Sequence, residues 1–189
     1  PMSLNHINLY LVEGDQDWTI VDTGIRGEET SELWKQIFAD RLGDKPVGQI
    51  ICTHMHPDHT GQAGFLSDYW RAPLLMSYSE YYQARVMGSM MQEGGSWHMS
   101  DFFIRAGVTM ETLEAMRDMR SSFTPSADDT PLPKSYLRLS EGDTLKIGAN
   151  EWEIIVGTGH SPEHVCLYCK ELRVFISGDQ ILPVITSNV

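Results

Sequence analysis

Apolar and polar positions along the chain sort into short apolar runs that end in polar, chemically loaded turns. Residues 7–12 (Ile-Asn-Leu-Tyr-Leu-Val) alternate well enough for a strand. Glu13-Gly14-Asp15-Gln16-Asp17 makes a turn and Trp18-Thr19-Ile20-Val21 a second strand, so a hairpin is expected. Leu33, Trp34, Ile37, Phe38 and Leu42 recur at helical spacing across residues 28–42, and Gly43-Asp44-Lys45-Pro46 stops that helix. Residues 49–52 then read as a short buried strand, 62–69 as a short helix and 72–76 as another strand.

The pattern changes over residues 77–133, where helical stretches are expected near 79–91, 100–106 and 109–121, punctuated by Gly94-Gly95 and Gly107. Seven of the ten methionines fall here, among them Met87, Met90, Met91, Met116 and Met119. Methionine suits adaptable apolar surfaces, so this insert serves as a substrate lid, as a contact between two copies in a homodimer, or simply as packing. His98, beside Trp97, reads as structural rather than as a ligand. After Pro131 and Pro133 the β pattern returns, with strands expected at 136–139, 144–147, 151–156, 165–168 and 173–176. Strands with intervening helices imply one layered α/β domain over residues 1–189 with a helical insert.

Composition narrows the partners. A net charge of −12 argues against nucleic acid or an anionic membrane and leaves a small-molecule substrate. No run of about 18 apolar residues is present, so no membrane helix is expected. Residues 1–8 have neither a basic segment nor a long apolar core. The three cysteines, Cys52, Cys166 and Cys169, are an odd set without a secretion signal, which fits a reducing cytoplasm. Cys166 and Cys169 lie three apart on an expected strand and so on opposite faces, which favours packing over a metal or redox pair.

The densest chemistry follows the strand at 49–52. Thr53-His54-Met55-His56-Pro57-Asp58-His59-Thr60-Gly61 puts three histidines and an aspartate into six residues. Imidazole and carboxylate are the usual ligands of divalent zinc and iron. A loop leaving a strand end can turn His54 and His56 one way and Asp58 and His59 another, and so serve two adjacent ions. Two later strand ends add candidates: Gly159-His160 with His164 four residues on, and Ser177-Gly178-Asp179. Their glycines let the backbone turn sharply at the sheet edge. His160 is the better ligand, His164 a support behind it, and Asp179 a carboxylate able to bridge two ions.

His54-x-His56-x-Asp58-His59, then Gly159-His160, then Gly178-Asp179, resembles the metallo-β-lactamase superfamily, and within it the glyoxalase II-like and lactamase-β-2-like hydrolases. The match covers most of the chain apart from the insert. The resemblance implies an αββα sandwich with the site at one edge of two packed sheets. It assigns His54, His56 and His160 to one metal, and Asp58 and His59 to the other, with Asp179 shared. It also makes Asp22, in Val21-Asp22-Thr23-Gly24, a brace for the metal loop. The family carries a further histidine some tens of residues after the bridging aspartate, and none follows His164 here. The expectation is that the protein continues past Val189 and that the second layer is incomplete in this chain.

The implied cofactors are two divalent ions, zinc first, with iron or manganese as other occupants. A bound ion lowers the pKa of water from about 15.7 to about 7, and a second ion about 3.5–4 Å away stabilises developing negative charge. The expected reaction is hydrolysis of an ester-like bond in a thioester, lactone or similar small acyl compound by a metal-bound hydroxide, with Asp58 as the catalytic residue orienting the nucleophile. No G-x-S-x-G supports a serine nucleophile. A phosphodiesterase or endoribonuclease of the same fold ranks second, since the insert offers few basic groups (Arg85, Arg105, Arg117 and Arg120). A mononuclear iron thiol oxygenase ranks third. The flavo-diiron type, which usually has Glu where His56 stands, is disfavoured. A non-catalytic metal-binding module is the remaining alternative.

Overall fold

Four parallel strands, ending side by side, decide where the chemistry falls. The computed structural model describes residues 6–92, 97–121 and 130–182. Its first sheet contains β1 (Tyr10–Glu13), β2 (Trp18–Val21), β3 (Val47–Ile51), β4 (Leu74–Met76) and β5 (Leu137–Arg138), in that order. The β1–β2 pair is the expected antiparallel hairpin, and every later neighbour is parallel. Val21 pairs with Ile51 and Ile51 with Leu75, so the segments after β2, β3 and β4 leave the same edge. Asp22, Thr53 and Ser77 therefore emerge there together.

Alternate residues of these strands face opposite ways, and both faces are covered. Ile20, Ile50 and Leu74 pack with Trp34 and Phe38 of α1 (Glu28–Arg41), and with Ala63 and Leu66 of α3 (Ala63–Trp70). Val21, Ile51 and Leu75 face the second sheet instead, against Trp152, Ile154, Val165 and Leu167. That sheet orders β6 (Thr144–Ile147), β7 (Asn150–Gly157), β8 (His164–Cys169) and β9 (Val174–Ile176), all antiparallel. The result is a mixed α/β fold of helices on one sheet and that sheet on another.

One feature escaped the periodicity. A short helix, α2 (Pro57–Thr60), forms inside the histidine motif, with Pro57 at its first position and extended His56 before it. Four residues are too few to show a period. The three helices of the 77–133 stretch form as α4 (Tyr78–Gln92), α5 (Trp97–Arg105) and α6 (Met110–Ser121). The chain divides into two compact units, residues 85–129 and the remainder, so the first turns of α4 belong with the larger unit. Ser77, Glu80 and Tyr81 are buried there. In the smaller unit Phe102, Met110 and Met116 are exposed, and the side chains of Met90, Met91, His98 and Met119 lie outside the described residues. All three cysteines are free and buried. No helix among the described residues is long and apolar enough to cross a membrane.

Candidate metal centre

Asp22 leaves β2 in the left-handed region, at φ 62°, and is fully buried. A non-glycine residue held there is uncommon, though aspartate tolerates it better than most. What holds it is a set of donors. Its Oδ1 accepts the Thr53 N–H at 2.7 Å, both oxygens take the Thr53 hydroxyl at 2.9 and 3.0 Å, and Oδ2 takes His59 Nδ1 at 2.8 Å. The next residue clamps the same histidine from its backbone: Thr23 N–H and Oγ1 both donate to His59 O, at 2.9 and 2.7 Å. Gly61, closing the motif, has no room for a side chain, because a Cβ would collide with the backbone of Arg26 and Gly24.

These bonds fix ring orientations. A carboxylate only accepts, so Thr53 gives its proton to Asp22 and its oxygen accepts from His54 Nδ1, 3.1 Å away. His54 Nε2 is thereby left with a lone pair. It points at His56 Nδ1 (2.8 Å) and His160 Nε2 (3.2 Å), and those two are 3.0 Å apart. By the same logic His59 gives its Nδ1 proton to Asp22 and turns Nε2 inward, where that buried atom has no hydrogen-bond partner. Asp179 Oδ2 lies 3.5 Å from His59 Nε2 and 3.8 Å from His160 Nε2, between the two sides. Asp58 Oδ2 is 3.8 Å from His59 Nε2.

Two groups with metal-binding geometry result: His54, His56 and His160, and His54, His59 and Asp179. His54 belongs to both, where the resemblance implied the first alone. Asp58 stands beside the second group rather than within it. His164 joins neither. Its ring stacks on His54 (centroids 4.7 Å apart, 22° between planes), and its Nε2 accepts the Asp179 N–H at 3.1 Å. Gly178, at φ 47°, permits this, since a Cβ there would lie 2.7 Å from the His164 ring and 2.9 Å from Thr53 Oγ1.

The donor set fits a divalent cation. One proton shared among three converging ring nitrogens satisfies one contact well, whereas a cation between them satisfies all three. Burial and the neighbouring imidazoles His59 and His164 push the His54 pKa far down, so it stays neutral as a ligand must. Burial and then His160 lower His56 as well. For His59 burial acts the same way, but the Asp22 and Asp179 carboxylates outweigh it and hold the pKa at about 10. Asp179 is lowered in return, first by the facing His59 ring.

One buried group at the site carried no sequence signal. Glu80, in the first turn of α4, is fully buried and accepts the Met55 N–H at 2.9 Å and the Glu163 N–H at 2.8 Å. It sits in a Met-rich helical stretch, where nothing local marks an acid as buried.

A two-sheet α/β fold with clustered histidines and carboxylates at one sheet edge defines a class of metal-binding proteins. The family model described as the metallo-beta-lactamase superfamily matches residues 3–188, and the chain belongs to that superfamily. The chain superposes along its full length on 54% of a beta-lactamase domain protein from Burkholderia ambifaria, with a TM-score of 0.81 and 40% identity. It is 26% identical over 192 residues to the probable metallo-hydrolase YqjP of Bacillus subtilis, covering 100% of this chain and 56% of that protein. It is 22% identical over 181 residues to the acyl-coenzyme A thioesterase MBLAC2 of Gallus gallus, covering 94% and 58%. The chain thus spans a little over half the length of these relatives.

Proposed function

We propose that the protein is a metal-dependent hydrolase that cleaves an ester-like bond in a small acyl compound, a thioester or lactone being the leading classes. The observation that carries this is the meeting of His54 Nε2, His56 Nδ1 and His160 Nε2 within 3.2 Å of one another. His54, His56 and His160 would hold one divalent ion, and His59 and Asp179, with His54 shared and Asp58 alongside, a second, zinc being the first candidate and iron or manganese the others. Such ions supply water activation near neutral pH and polarise the scissile carbonyl. The chain's own groups do the rest. Asp58 would orient the attacking water. Asp179, between His59 and His160, holds the two sides in register. Asp22 keeps His59 turned inward.

The acyl reading draws on the thioesterase name of the chicken relative and on the net charge of −12, which disfavours a polyanionic substrate. A small-molecule substrate and a cytoplasmic setting go with this proposal. The test is metal analysis together with thioester, lactone and bis-p-nitrophenyl phosphate substrates, on wild type and His56→Ala. Two metals with acyl hydrolysis, both lost in His56→Ala, are expected. Phosphodiester turnover alone, or one iron with oxygen uptake, would replace the proposal. A His56→Ala variant with full metal content and turnover would remove the ligand assignment.

A further inference from the structure

The N-terminus of α4 docks on the loop that carries His160. Ser77, just before the helix, donates its hydroxyl to Glu163 O at 2.6 Å instead of folding back on the helix. Ser79 N–H donates to Glu163 Oε2 at 2.6 Å. Glu80 reaches the other way, its Oε1 accepting the Glu163 N–H at 2.8 Å. In a capping box the side chains and amides of one first turn satisfy each other. Here Glu163, from a segment more than eighty residues away, takes the place of the capping residue. The Glu80 carboxylate also has an oxygen to spare, and this one accepts the Met55 N–H at 2.9 Å.

Both partners of Glu80 are placed where they matter. Met55 lies between His54 and His56, and Glu163 between His160 and His164. The two loops are also tied by Val165 N–H to Thr53 O at 2.8 Å. Between these ties the His54 and His164 rings stack. Just beyond the Glu80 tie the loops part, one carrying His56 and the other His160. We infer that Glu80 is a positioning residue: its carboxylate sets the separation at which the two loops part, and with it the 3.0 Å meeting of His56 Nδ1 and His160 Nε2. A carboxylate suits the role because both oxygens accept. A glutamine would turn a donor toward one of the two amides.

This rests on the three imidazoles being a metal centre. Zinc affinity of the full-length protein, measured by competition with a chromophoric chelator, is read beside thermal unfolding of the metal-free protein. In Glu80→Gln, zinc affinity is expected to fall roughly tenfold or more, the size seen when groups that orient ligands are removed. The absorption of the cobalt(II) form is expected to change with it. Glu80→Asp keeps both acceptors but is one methylene short, and should fall between Glu80→Gln and wild type. A Glu80→Gln protein that melts lower yet binds zinc within about twofold of wild type would make the residue structural only and overturn the inference. If Glu80→Gln does not fold, Glu80→Asp is read by the same criterion. Failure of both to fold would make Glu80 a determinant of the fold and overturn its role in positioning. Wild-type protein that binds no zinc would instead defeat the metal reading.

Discussion

On one side of His54 its partners are two more imidazoles; on the other they are His59 and the Asp179 carboxylate, with Asp58 alongside. The imidazole side brings three ring nitrogens within 3.2 Å of one another, with Asp179 3.8 Å from His160 Nε2. Burial, then His59 and His164 for His54 and His160 for His56, lowers their pKa values there. The carboxylate side carries its own counter-charge, so His59 keeps a proton up to a pKa of about 10. The imidazole side is therefore poised for a cation at neutral pH. The carboxylate side can accept a proton in place of one, and a metal must displace it.

The harshest way to break this comparison is to remove what the sides share. His54→Ala should abolish binding at both positions, with metal content by atomic absorption near zero and hydrolysis lost. A variant that keeps one tightly bound ion would show that the sides are independent. The next largest effect concerns pH. Binding on the His59 side displaces one proton, so between about pH 6.5 and 9 its zinc affinity should tighten roughly tenfold per pH unit. The imidazole side should change little. Calorimetric titration of the first and second equivalents would show equal slopes if the difference between the sides is unreal.

Asp22→Asn sharpens the comparison in the metal-free protein. His164 has its pKa pushed down to about 4, chiefly by burial. Its contribution to stability is present above about pH 6.5 and is lost as pH falls toward 4. The His59 pKa is raised, so its contribution is fully present below about pH 6.5 and is lost as pH rises through about 10. Asp22→Asn should flatten the alkaline limb and retain the acid limb, at a cost near neutrality of about 1–3 kcal/mol. Urea unfolding across pH would show it, and an alkaline limb unchanged from wild type would separate Asp22 from His59. The smallest effect is expected of Thr53→Val, which frees the His54 ring to change tautomer. First-equivalent zinc affinity should weaken several-fold, with recovery in Thr53→Ser, whose hydroxyl makes the same bonds. First-equivalent affinity unchanged in Thr53→Val would leave the hydroxyl without a role in orienting the His54 ring.

Different parts of this site were legible to different degrees. The motif residues stand within one loop, so His54, His56, Asp58 and His59 are conspicuous from spacing alone. His160 and Asp179 show only as polar residues beside glycines at strand ends, and it was the resemblance that joined them to the loop. Glu80 gives no sign, because its two partners are 25 and 83 residues away. Its isolation within a helical, methionine-rich stretch places it with the insert by pattern, while the fold places it with the site. The strands were read well because apolar runs bounded by turn residues are local. Helix α2 was not, being a single turn set by Pro57 and its neighbours.

The sequence by itself determined which ligand types exist and that they sit at strand ends, since apolar runs and the residues that stop them are properties of neighbours. Only the tertiary structure decided which atoms meet. The parallel register of β2, β3 and β4 brings Asp22, Thr53 and Ser77 to one edge. The antiparallel pairing of β7 with β8 brings His160 back over the same edge. There, the hydrogen bonds of Asp22 and Thr53 choose which nitrogen of His59 and of His54 faces the other site residues. That choice depends on donors and acceptors distant in the chain, and no local pattern of residues encodes it.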